Sequence, residues 1–71
     1  MTQKEALKKA QARFGKDAIA IVSADEFKVP DASGKIPAPV VRYIVGFEEN
    51  GIPTYAGVGH SWQEACEKAQ I

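Results

Sequence analysis

The side chains with reactive chemistry are few and gather near the C-terminal end of the chain. They are His60, Ser61 and Cys66, just after the glycine pair Gly57-x-Gly59. His60 is the one imidazole. A hydrolytic triad would need a nucleophile on one side of it and a carboxylate on the other. Ser61 is adjacent, but Ser61 and Glu64 have the S-x-x-E spacing of a capping box, where hydroxyl and carboxylate each accept a backbone N–H at a helix start. That role commits the hydroxyl and leaves no triad. Cys66 falls one turn into the same helix. A helix N-terminus can lower a thiol's pKa, yet the residue lies on an apolar stripe, so a small buried hydrophobe is expected. The glycines precede a helix, where backbone N–H groups can hold a phosphate, but the end of a strand accounts for them equally. Asp25-Glu26 and Glu48-Glu49 are too few carboxylates for a cation that takes about six oxygen ligands. The expectation is a chain with no catalysis, no metal and no cofactor.

Charge is the next chemistry to weigh. Nine Lys+Arg balance nine Asp+Glu, a formal net charge of 0. The balance hides a split: residues 1–16 carry Lys4, Lys8, Lys9, Arg13 and Lys16 against Glu5, a net +4, and residues 17–71 carry −4. Such asymmetry steers an anionic partner to one end, or is simply the solvated face of a helix.

The elements that position these groups follow from periodicity. Leu7, Ala10 and Phe14 recur at helical spacing, with Thr2 as N-cap, Glu5 three residues on and Gly15 as the stop, so a helix is predicted over Gln3–Phe14. Ile19, Ile21 and Val22 favour a strand over 18–27. Three prolines and Gly34 make 29–39 a loop, long for a strand connection. Val40–Glu48 alternates cleanly, Asn50-Gly51 suits a type I′ hairpin turn, and Ile52–Val58 returns. A two-residue turn pairs Phe47 with Thr54, Val45 with Ala56, Tyr43 with Val58, Gly46 with Tyr55 and Ile44 with Gly57. Pro53 has no N–H to donate, so the third strand is expected at the sheet edge. Ser61–Gln70 is the second helix, burying Trp62, Ala65, Cys66 and Ala69. The result is an α+β fold: one two-layer α-β-β-β-α domain over residues 1–71, with an antiparallel sheet in order 1-2-3 and both helices on one face.

Length and composition set the class. At 71 residues and 45% hydrophobic content the chain allows one core. It has no apolar run approaching the roughly 20 residues of a membrane span. It has no apolar signal segment and a single cysteine. A small cytoplasmic protein is expected.

Gly57-Val58-Gly59-His60-Ser61 followed by Trp62-Gln63-Glu64-Ala65 resembles the G-x-G-x-S-x-x-E-A stretch that closes strand three and opens the last helix of double-stranded-RNA-binding domains. The resemblance implies that family's α-β-β-β-α fold, and duplex RNA as a partner met by Lys4, Lys8, Lys9 and Arg13 of helix one. The chain departs from the family where helix two meets phosphates: lysines there are replaced by Trp62, Gln63 and Cys66, with Glu64 and Glu67 nearby, and the loop between strands one and two has no His. Phosphate affinity grows with each neutralised charge, so the departures favour a protein partner over RNA. The same glycine-rich strand end with Ser-Trp-Gln-Glu-Ala is also similar to the start of a helix in HicB-type antitoxins, which begin with strands instead of a helix.

The expected function is that of a small protein-binding module, such as a phage or mobile-element accessory protein or an inhibitor of a host complex. Both helices cover one sheet face. The partner surface is therefore expected on the other, around Arg42, Ile44 and Tyr55, flanked by Lys35 of the proline loop.

Overall fold

The computed structural model describes all 71 residues. The elements are α1 (Gln3–Phe14), a single 3-10 turn at Gly15–Asp17, β1 (Ala18–Asp25), β2 (Val40–Glu49), β3 (Ile52–Gly59) and α2 (Trp62–Lys68). The strands form one antiparallel sheet in the order β1-β2-β3, and both helices pack on it. The α+β arrangement read from the pattern is therefore the one observed.

Local chemistry explains the boundaries. The Thr2 hydroxyl accepts the Glu5 N–H at 3.2 Å and opens α1, and Gly15 closes it at φ +83°. Asn50 and Gly51 take φ +55° and +78°, the paired positive values of the tight hairpin turn. Ser61 accepts the Glu64 N–H at 3.1 Å and opens α2. That helix stops earlier than the apolar stripe suggests. Gln70 turns to φ +59°, and the N–H groups of Gln70 and Ile71 donate to the carbonyls of Glu67 and Cys66. This is a left-handed closing motif with a glutamine where glycine is usual. Strand β1 also ends early, at Asp25, so the connection to β2 spans 26–39. Within it the Asp31 carboxylate accepts from the Ser33 N–H, the Ser33 hydroxyl and the Lys35 N–H. Those bonds, above all the one from the Ser33 hydroxyl, hold its pKa below the ordinary carboxylate value.

The register agrees with the turn-based pairing only as far as Gly46 opposite Tyr55. Beyond that point β3 bulges: Val45 faces Gly57, Ile44 faces Val58 and Tyr43 faces Gly59. Ala56 is the extra residue. The expected pairs Val45–Ala56, Ile44–Gly57 and Tyr43–Val58 are each displaced by one, because a bulge sets two residues against one and then reverses which face each later side chain takes. The physical cause lies under α2. With the bulge, Gly57 and Gly59 point at the helix instead of Val58. A Cβ on Gly57 would stand 2.1 Å from the Ala65 carbonyl oxygen, and one on Gly59 2.7 Å from the Glu64 side chain. The glycines thus serve close backbone approach more than strand termination.

The core lies between sheet and helices and is made largely of small residues: Ala6, Ala10, Ala20, Val45, Trp62, Ala65 and Cys66. Trp62 is buried, in edge-to-face contact with Tyr43 at 4.9 Å. Phe14 packs on Phe47 at 5.1 Å at the margin of this core, only partly buried. The stripe of α1 is centred on Ala6 and Ala10 accordingly. Both outer strands are edges. Gln3 donates its side-chain N–H to the Ala20 carbonyl of β1 at 2.8 Å, and Pro53 interrupts the donors of β3.

Candidate functional site

Residues paired across an antiparallel sheet share a face, so the register defines the side that the helices leave bare. It carries Ile19, Ile21, Ser23 and Asp25 from β1, Val40, Arg42, Ile44, Gly46 and Glu48 from β2, and Pro53, Tyr55 and Val58 from β3. Five of these twelve are β-branched aliphatic residues and one is aromatic. No element of the chain lies over them.

Of the residues expected to form a partner surface, three meet on this face and one does not. Arg42 is exposed and sits 3.7 Å from the Asp25 carboxylate across β1. Tyr55 stands opposite Gly46 and is 53% exposed. Ile44 corrects the expectation: it is only 5% exposed. Ile21 lies directly beside it on one side and Val58 on the other, and these neighbours shield it laterally. It acts as the floor of the patch instead of a contact knob. Gly57, paired with Ile44 in the turn-based register, points to the helix side instead. Lys35 belongs to the 26–39 loop, where its N–H donates to Asp31 at 3.2 Å, and not to the sheet. Ile21 and Val58 are the apolar residues of this face that pattern reading missed. The signal for Val58 was the spacing of Gly57 and Gly59 inside a strand, which marks a bulge or a close approach.

The basic residues of α1 are all exposed: Lys4, Lys8, Lys9 and Arg13. They do not converge on one feature. Lys9 and Arg13, with Ala12 and Ile71, line an open cleft of about 270 Å³ between α1 and the chain end.

The reactive side chains near residue 60 find other uses. Ser61 is engaged in capping. The Glu64 carboxylate pairs with Lys68 at 3.2 Å; that bond first, and the His60 backbone second, hold its pKa below the ordinary value. Cys66 is buried against the helix side, its Sγ 3.7 Å from the Met1 sulfur, and burial pushes its thiol pKa up. A thiol with a raised pKa is mostly protonated and a poor nucleophile. No helix is long and apolar enough to cross a membrane. No protein-family model matches the chain, and no curated protein or solved structure matches it either.

Proposed function

We propose that this chain is a small non-enzymatic protein-binding module that docks through the bare face of its sheet. The observation that carries the reading is the unshared apolar surface around Ile44. Ile21 at 37% and Tyr55 at 53% exposure leave apolar area that a partner would remove from water, and that removal drives docking. A tyrosine and an arginine framing a dry aliphatic centre is a composition enriched where interface energy concentrates. The dispersal of the basic residues along α1, together with Glu64 and Glu67 on α2, supports a protein partner over duplex RNA.

The test is capture of cellular partners by tagged protein, comparing wild type with Tyr55→Ala/Arg42→Glu after circular dichroism has checked the fold. The double variant should lose its partner; full recovery by a folded double variant would refute the assignment. A parallel titration with a duplex RNA of about 20 bp, longer than the ~16 bp such domains span, should show no binding tighter than ~10⁻⁴ M near physiological salt. Submicromolar affinity that weakens in Lys8→Glu would replace this reading with RNA binding through α1.

A further inference from the structure

The bare face is self-complementary. Along β2 its residues Arg42, Ile44, Gly46 and Glu48 stand symmetrically about position 45. Consider a two-fold axis in the plane of the face, running across the strands at that position. It brings a second copy face to face with β2 antiparallel to itself. Arg42 of each copy then meets Glu48 of the other. Ile44 lies over Gly46, so the two buried floor positions face each other at the centre. The flanking strands obey the same operation: Ile21, beside Ile44, meets Ile19, beside Gly46, and Val58, beside Ile44, meets Tyr55, beside Gly46. The match on β3 depends on the bulge, because an unbulged strand would turn Val58 toward the helices.

We propose that the occupant of this face is a second copy of this chain, packed sheet to sheet about that axis with reciprocal Arg42–Glu48 contacts; this rests on reading the face as a protein-docking surface. Sheets stack about 10 Å apart with strands nearly aligned, a spacing that apolar side chains of this size fill. Arg42 and Glu48 lie at opposite ends of the patch, so the antiparallel alignment brings each Arg42 to a Glu48, with Asp25 beside Arg42 sharing its charge. In Arg42 the guanidinium has only an exposed carboxylate 3.7 Å away, Asp25, a pair weak enough in water to be shared with a new partner. Three strands at ~4.8 Å and six residue steps at ~3.4 Å give a patch of roughly 300 Å² in plan. A standard interface buries about 800 Å² per partner, so the dimer belongs to the weak, concentration-dependent class.

Sedimentation velocity of the full chain, from about 10 μM to about 1 mM, covers the range of such an association. The mass should rise from 7.7 kDa toward twice that value. Arg42→Glu and Glu48→Arg each create two like-charge contacts and should weaken self-association at least about tenfold. An equimolar mixture of the two variants should associate again, because every end contact then pairs opposite charges. Ile21→Lys, a change at an exposed position, should abolish the dimer and provides a second variant if either charge reversal fails to fold. A chain monomeric at ~1 mM overturns the proposal, as does a dimer indifferent to the single reversals or not restored by mixing. If self-association is absent while capture of a cellular protein still depends on Tyr55 and Arg42, only the dimer falls; if neither depends on this face, the docking reading falls with it.

Discussion

On the helix side of the sheet the core is mostly small residues, Ala6, Ala10, Ala20, Ala65 and Cys66, set around Val45 and Trp62, whereas the bare side carries Ile19, Ile21, Ile44, Val58 and Tyr55. Three of the four isoleucines in the strands, Ile19, Ile21 and Ile44, thus lie on the face that the helices leave bare. Small residues let the helix backbones approach closely, which favours dispersion contacts over buried area. The chain has few large side chains in its core, Trp62 chief among them, and a domain of this size holds only ~3–5 kcal/mol of net stability. The two faces should therefore answer mutation differently: the helix side should register in folding and the bare side in association.

The sharpest contrast is expected from Trp62→Ala. It removes the largest core side chain and its edge contact with Tyr43, and should cost ~3–5 kcal/mol, enough to leave much of the chain unfolded in a urea melt. A loss under ~1 kcal/mol would mean the helix side is not where the stability lies. Gly57→Ala comes next. Its Cβ would meet backbone, the Ala65 carbonyl at 2.1 Å and the Ala69 nitrogen at 2.5 Å. Neither can swing aside, so α2 must lift, at a cost of about 3 kcal/mol; a fully stable variant would contradict the close approach assigned to the bulge.

Gln70→Gly works in the other direction. The left-handed conformation at φ +59° disfavours a residue with a Cβ, so glycine should stabilise by ~0.5–1 kcal/mol in thermal melts; destabilisation would show that the glutamine side chain contributes more than its backbone strain. Ile21→Thr, on the bare face, keeps β-branching and should change stability by less than ~0.5 kcal/mol when measured on dilute protein. A larger loss would erase the distinction between the faces.

The smallest effect concerns pH. Burial raises the Cys66 thiol pKa in the folded chain. The unfolded thiol ionises first, near its ordinary value of about 8.5, so its contribution is complete below that pH and is lost as pH rises through the folded value. Stability should fall across that alkaline window, and Cys66→Ala should flatten the slope attributable to the thiol. An unchanged slope would place that titration on another group.

Local signals made much of this fold legible. Thr2 and Gly15 bound α1, Asn50-Gly51 sets the hairpin, Ser61 starts α2, and alternation along β2 assigns its faces, because each acts within a few residues through capping, φ preference or period. That same alternation places Arg42 on the bare face, and the turn-based pairing with Gly46 places Tyr55 there. The fate of Ile44 and Val58 was not local. Ile44 is dry because Ile21 and Val58 flank it on other strands, and Val58 turns outward because β3 bulges under a helix whose backbone leaves no room for a side chain at Gly57. Pairing arithmetic from a turn carries no knowledge of the helix that later packs on the strand. The sequence by itself determined the order of elements, their caps and the tight turn. Only the tertiary structure decided the register beyond Gly46, and with it which apolar side chains remain for a partner, because that register follows from how closely α2 approaches the sheet.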